Sequence, residues 1–142
     1  MRRSIRHFMT SSPYTIGQEQ SLERAHEMMR EHGIRHLPVL AAGKLVGLVS
    51  QRDLHMIETL RDVDEQNTTV GEAMSQDVYC VDPSTSLFQV AREMAEHKYG
   101  SVVICERGRV VGVFTTTDAL QALAAFELLA AADGMAGHRT HP

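Results

Sequence analysis

Gly47-Leu48-Val49-Ser50-Gln51-Arg52-Asp53 returns, without a gap, as Gly112-Val113-Phe114-Thr115-Thr116-Thr117-Asp118. The interval from Asp53 to Asp118 is 65 residues, and the same interval pairs Met9 with Met74, Tyr14 with Tyr79, Ser21-Leu22 with Ser86-Leu87, Met29 with Met94, Glu31-His32 with Glu96-His97 and Gly43 with Gly108. One structural unit is therefore written twice. Solenoids stack three or more units to close a continuous core, whereas two copies can close on each other across a pseudo-twofold axis. A chain of 142 residues has room for two half-domains that share a core.

The bulk composition narrows the function classes. With 43% hydrophobic and 23% charged residues and a formal net charge of −4, the chain reads as a soluble globular protein, too mixed for disorder. Mild acidity gives no general attraction to nucleic acid or to an anionic membrane surface, so an anionic ligand must be held by local donors. No apolar run approaches the ~20 residues of a membrane span. Cys80 and Cys105 both fall in the second copy, within apolar runs that read as strands. They are expected to be buried, inert thiols without a disulfide framework, which fits a reducing cytoplasm. The basic opening Met1-Arg2-Arg3-Ser4-Ile5-Arg6-His7 resembles a transit peptide. The repeat register reassigns it: Ser4-Ile5 aligns with Thr69-Val70 and Phe8-Met9-Thr10 with Ala73-Met74-Ser75, making it the first element of copy one.

Copy one is expected to open with a helical turn over 4–9 and a strand at Tyr14-Thr15-Ile16. A helix capped by Ser21 follows, with Leu22, Ala25, Met28, Met29 and His32 facing a core and Gly33 as its stop. A hairpin comes next, with strands over 36–40 and 45–50 joined at Gly43-Lys44, and then a helix over 51–60. Copy two repeats the order: a turn over 70–74, a strand over 78–81, a helix over 86–97, a hairpin over 101–114 and a final helix from Thr116. In that last helix Leu120, Leu123, Ala124, Phe126, Leu128 and Leu129 can cover core or a partner. The boundaries read from this pattern are 1–65 for repeat one with its polar linker over 61–68, 66–132 for repeat two, and 133–142 for a flexible tail.

This order, together with Gly33-Ile34-Arg35-His36-Leu37-Pro38-Val39 and the Gly-x-x-Ser/Thr-x-x-Asp ending of each copy, resembles a tandem pair of cystathionine-β-synthase (CBS) domains, the arrangement called a Bateman module. The resemblance covers about residues 4–124. It implies an α/β (α+β) fold of two repeats, each β-α-β-β-α, packed sheet to sheet with pseudo-twofold symmetry, in a stand-alone CBS-domain protein. It also implies a regulatory role in energy sensing, a disc-like homodimer, and an adenosyl ligand in the cleft between copies. That ligand would be AMP, ADP, ATP or S-adenosylmethionine, with no cofactor required.

Ser50-x-x-Asp53 and Thr115-x-x-Asp118 stand where a strand ends and a helix begins, where free N–H groups and the positive end of the helix dipole can hold a phosphate. The hydroxyl can donate to that phosphate, and the carboxylate can accept from both hydroxyls of a ribose. Taken singly, the same motif is a capping box. Two in-register occurrences after Gly-h-h, on a fold that resembles ligand-binding pairs, favour the ligand. By matching position the family implies that Thr15 and Cys80 present the adenine edge, that Ile34, Pro38, Tyr99 and Val103 form an apolar slot, and that His36 and Ser101 face phosphate. A strand-edge role for His36 stands beside the phosphate reading. Arg52 is the clearest cationic phosphate ligand, yet Thr117 stands at its place in copy two and Gly100 at that of Arg35. The Asp53 site is thus expected to prefer more phosphate charge than the Asp118 site.

Other constellations are weak. Among eight histidines, His32 and His36 have i, i+4 spacing, but Gly33 and Pro38 break the helix that would align them, so solvated or packing roles are expected and no metal site. No Ser-His-Asp order, nucleophile elbow, paired carboxylates or Walker-type loop points to an enzyme. The acidic balance argues against nucleic acid. The alternative from another class is a dimerisation or protein-interaction scaffold in which both motifs are caps only.

Overall fold

The computed structural model of the chain describes residues 3–60 and 62–137, with side chains as far as Glu127. A 3-10 turn (Ile5–His7) is followed by β1 (Thr10–Ser11), β2 (Ile16–Gly17), α1 (Leu22–His32), β3 (His36–Ala41), β4 (Lys44–Ser50) and α2 (Gln51–Glu58). The order then recurs as α3 (Val70–Ala73), β5 (Cys80–Val81), α4 (Leu87–His97), β6 (Ser101–Glu106), β7 (Arg109–Thr115) and α5 (Thr116–Gly137). The Ser21 hydroxyl accepts from Arg24 N–H at 3.1 Å to start α1, and Gly33 stops it in the left-handed region. Lys98 occupies that same left-handed position at the end of α4. Each hairpin turns through two residues of positive φ, Ala42-Gly43 and Arg107-Gly108, the conformation that matches the twist of the flanking strands. The first turn thus lies one residue earlier than expected.

The first strand of each copy is shorter than the pattern suggested. Only Ile16 and Gly17 find ladder partners on β3, and only Cys80 and Val81 on β6. The described part of α5 runs to Gly137, into the segment expected to fray from Asp133, while residues 138–142 and the side chains of Leu128 and Leu129 lie outside the described residues.

The strand order is β2-β3-β4 in one sheet and β1-β7-β6-β5 in the other, and the two sheets meet along β4 and β7. The opening segments are exchanged between the cores. Ile5 is fully buried among Leu87, Val90, Val102, Ile104 and Phe114 of copy two, and Val70 among Leu22, Leu37, Val49 and Leu54 of copy one. The hydrogen bonds are reciprocal at the repeat interval: Ile5 N–H donates to Thr85 C=O at 2.7 Å and Val70 N–H to Gln20 C=O at 2.8 Å. Burying an Ile or Val side chain contributes about 1.5–3 kcal/mol, so each copy is stabilised substantially by the other's first turn.

The exchange explains the glycine of the Gly-h-h-Ser/Thr motif. Met74 crosses β4 at Gly47 and Met9 crosses β7 at Gly112; a Cβ at either glycine would run into the methionine sulfur. Neither needs glycine for its φ. The requirement is room.

Candidate functional site

Where α2 leaves β4, Ser50 and Asp53 form a capping box: Asp53 N–H donates to Ser50 Oγ at 3.0 Å and Ser50 N–H to Asp53 Oδ2 at 2.8 Å. Asp53 Oδ1 has no protein donor among the described residues. This end of α2 borders a cleft of about 810 Å³. Copy one supplies Arg35, His36 and the turn from Ser50 to Asp53, and copy two supplies Tyr79, Lys98, Tyr99, Gly100 and Ser101. Gln51 N–H donates to Arg35 C=O at 2.9 Å and Thr116 N–H to Gly100 C=O at 3.2 Å, so the strand entries and helix starts of both copies are tied together in the same way.

The cleft combines cationic and aromatic side chains. Arg35, Arg52 and Lys98 face it with Asp53 and Asp77 as the acids. Tyr79 stacks on Tyr99 at 5.3 Å, and Tyr99 on His97 at 5.2 Å. In copy one Ile34 replaces the middle ring, and Tyr14 stacks directly on His32. Burial, followed by the Glu93 carboxylate and then Tyr99, raises the Tyr79 hydroxyl pKa, so its proton is retained. Ser101 is buried, and its Oγ has no hydrogen-bond partner among the described residues. Buried hydroxyls are usually paired, so this one is an exception that calls for a physical role.

His36 lies where the copies touch: a Cβ on Gly100 would stand 3.2 Å from its Nε2. Burial lowers its pKa below the ordinary histidine value, Asp53 partly opposes this and Arg35 reinforces it, so the imidazole is neutral at neutral pH.

Six of the residues singled out by sequence, His36, Ser50, Arg52, Asp53, Tyr99 and Ser101, therefore line one cleft. The others lie off its wall. Pro38 and Val103 are in the buried part of β3 and β6, Thr15 precedes β2, and Ile34 packs on the first core. Cys80 is exposed on β5 and Cys105 half-buried on β6, their sulfurs 2.9 Å apart, so neither is the buried thiol expected, although partial desolvation and the Cys105 contact push the Cys80 pKa up to about 12. Thr115 ends β7 and Thr117 and Asp118 lie in the first turn of α5, where Thr115 N–H donates to Asp118 Oδ2 at 2.9 Å. Sequence reasoning passed over Lys98, Tyr79 and His55. Lys98 carried a signal, since it replaces the helix-ending Gly33 of copy one.

A family model of the CBS domain matches residues 5–57 and again 70–125. The chain belongs to the CBS-domain family. CBS domain-containing protein YhcV of Bacillus subtilis is 29% identical over 115 residues, 81% of each chain. Inosine-5'-monophosphate dehydrogenase of Korarchaeum cryptofilum is 33% identical over 112 residues, 78% of this chain but only 22% of the dehydrogenase, so the likeness to that enzyme is confined to a CBS pair. Among solved structures, AcuB of Vibrio cholerae superposes with a TM-score of 0.81 at 29% identity, covering 100% of both chains. The same fold is present in the CBS pair of MJ0100, solved with 5'-methylthioadenosine and S-adenosylmethionine (TM-score 0.79, 23% identity, 88% of this chain and 98% of that one). It is present also in CBSX2, solved with AMP (0.74, 24%, 87% and 98%). In the CBS pair described here, no helix among the described residues is long and apolar enough to cross a membrane.

Proposed function

We propose that this CBS pair is a regulatory module that binds an adenosyl ligand in the Asp53 cleft and reports it by a change in shape or partner affinity. The observation that carries the reading is the juxtaposition at one helix N-terminus of a carboxylate oxygen without a protein donor, three cationic side chains and a pair of tyrosines. Asp53 Oδ1 accepts from ribose, Tyr79 and Tyr99 offer a face to the base, and Arg35, Arg52 and Lys98 hold phosphate. Two CBS pairs of the same fold crystallised with AMP or with S-adenosylmethionine and 5'-methylthioadenosine support an adenosyl ligand. The cation count supports a polyphosphate at this site, with the Asp118 site weaker and less selective for charge. No chemical step is required of the protein. A ligand shifts its state only through unequal affinity for two conformations.

The test is thermal unfolding with AMP, ADP, ATP, S-adenosylmethionine and a guanine nucleotide as control. A ligand at about 100 times its dissociation constant adds ~2.7 kcal/mol. Stabilisation by an adenine compound and not by the guanine control supports the reading; a flat response across the panel overturns it.

A second reading, an interaction scaffold without a physiological nucleotide, is favoured by a different observation. Both Ser/Thr-x-x-Asp motifs make their own cap hydrogen bonds, and Met56 and Leu60 near the end of α2 and Leu120 and Leu123 on α5 are more than 60% exposed. Such faces suit a homodimer. Sedimentation with and without nucleotide separates the two readings, since a scaffold dimerises irrespective of ligand.

A further inference from the structure

His26 on α1, Glu58, the last residue of α2, and Glu65 in the linker bring their donor atoms together. His26 Nε2 lies 2.5 Å from Glu58 Oε2 and 4.0 Å from Glu65 Oε1, and all three donor atoms fall within 4.8 Å of one another. They line a second cleft, of about 520 Å³, together with Glu23, Glu27, Arg30 and His55. Its described wall thus carries four carboxylates and one guanidinium. That excess of negative charge is drawn together by the fold rather than by one acidic run, and it surrounds an imidazole whose side chain is only 21% exposed.

The donor set selects a class of ion. Imidazole nitrogen with carboxylate oxygen suits a borderline ion of the zinc type, whereas calcium and magnesium favour all-oxygen shells. Bonds of about 2.0–2.1 Å in a tetrahedron place donors ~3.3 Å apart, and the two measured separations fall on either side of this value. His55, one turn before Glu58 on α2, stacks on His26 at 5.9 Å between ring centroids and lines the same cleft, so a second imidazole stands beside the three donors. The scaffold is held without an ion. Glu23 N–H donates to Glu65 C=O at 3.0 Å, Leu22 N–H to Thr68 C=O at 3.0 Å, and Asp64 accepts from Gln66 N–H at 2.9 Å, so the linker carrying Glu65 is pinned to the first turn of α1.

We propose that His26, Glu58 and Glu65 bind a zinc-type divalent ion, with His55 completing a four-donor shell. His55 also lines the Asp53 cleft, so it stands between the two sites. Binding the ion clamps α1, α2 and the linker and draws one side chain off the wall of the larger cleft. Sequence spacing could not reveal this site, because its three principal donors come from three separate segments. The histidine pair with i, i+4 spacing is instead dispersed, His32 onto Tyr14 and His36 into the larger cleft.

The experiment is Co²⁺ titration of the untagged, EDTA-treated full chain, followed by visible absorption and calorimetry, with Zn²⁺ as competitor. Expected are one Co²⁺ per chain, the strong visible bands of a four-coordinate ion, and displacement by Zn²⁺, which binds such sites more tightly than cobalt. His26→Gln and Glu58→Gln should each weaken binding by more than the ~10–100-fold that follows loss of an outer-shell partner. Glu65→Gln, at a half-exposed linker position that cannot unfold the core, should weaken it at least ~10-fold. His97→Gln and the pair His138→Gln/His141→Gln should leave it unchanged. Absence of stoichiometric Co²⁺ binding, wild-type affinity in Glu65→Gln, or loss of binding in the tail variant overturns the proposal.

Discussion

Thr10 donates through Oγ1 to the Asp118 carboxylate, 3.1 Å from Oδ1 and 3.3 Å from Oδ2. The exchanged opening segment causes this, because β1 lies against β7 with Thr10 opposite Val113. The matching hydroxyl in the other half belongs to Ser75, which is held beside β4 by its bridge to Leu48 but accepts instead from Asp77 N–H at 3.3 Å. One copy of the repeated carboxylate is thus satisfied by protein on both oxygens, and the other has one oxygen without a protein donor among the described residues.

That asymmetry separates the roles of the two acids. Asp118→Ala should cost about 1 kcal/mol in thermal or urea unfolding through loss of the cap, and change adenine-nucleotide affinity in the Asp53 cleft less than threefold. Asp53→Asn keeps an oxygen for the Ser50 N–H but loses the charged acceptor, so stability should hold while affinity falls about tenfold. Calorimetry on the two variants is the check. Equal losses of affinity would mean that both sites bind alike.

The His36 imidazole gives the cleft a pH signature. Its folded-state pKa is depressed by burial, so the folded protein takes up this proton less readily than the unfolded chain. The corresponding stability is present above the unfolded value of 6.5 and is lost as pH falls through the lower folded value. A phosphate placed beside the ring reverses the preference, so binding of a phosphorylated ligand should take up a proton and tighten as pH drops from 7 toward 6. Asp53, Arg35, Arg52, Lys98 and His55 share the cleft. Calorimetry in buffers of different ionisation enthalpy should therefore compare wild type with His36→Ala and His55→Ala. Proton uptake that persists in His36→Ala and vanishes in His55→Ala assigns the effect to the wrong ring.

Much of this fold is legible in the chain because its signals are local. Ser21 and Gly33 bound α1 where their side-chain chemistry requires, and the repeat interval places every element of copy two once copy one is read. The exchange is not legible. The register aligns residues 4–10 with 69–75 but says nothing of which core the segment enters, since Ile5 and Val70 are equally apolar in either setting. The full lining of the expected site is not legible either. Tyr79, Lys98, Tyr99 and Ser101 of copy two complete the wall at Asp53, whereas Thr15 and Pro38, which the family resemblance implied as lining residues, lie off it. The capping-box and ligand readings of Ser50-x-x-Asp53 are compatible in geometry, because one carboxylate oxygen serves the cap and the other has no protein donor among the described residues.

The exchange can be tested through the glycine that admits it. Gly112→Ala should destabilise the fold by about 1–3 kcal/mol, because the new Cβ meets the Met9 side chain and stands 3.1 Å from Thr10 C=O. Met9→Ala alone should cost a comparable amount through lost packing. The double variant should recover part of the sum, since deleting the thioether makes room for the methyl. A coupling of 0.5 kcal/mol or more of rescuing sign supports the crossing, by the ordinary size of contacts between touching residues. Strict additivity would place Met9 elsewhere.

Ser101 offers the sharpest separation of ligand binding from folding. Its hydroxyl is buried at the start of β6, without a partner among the described residues, and it occupies the position that His36 holds in copy one. An unpaired buried hydroxyl costs roughly 1–3 kcal/mol, so Ser101→Ala should leave the ligand-free protein at least as stable as wild type. The same hydroxyl, offered to a ligand oxygen, contributes about 0.5–1.5 kcal/mol, and its loss should weaken binding roughly two- to tenfold. The two readouts move in opposite directions only if the group is kept for a ligand. A variant that unfolds more easily yet binds as tightly would make Ser101 a structural residue and remove it from the site.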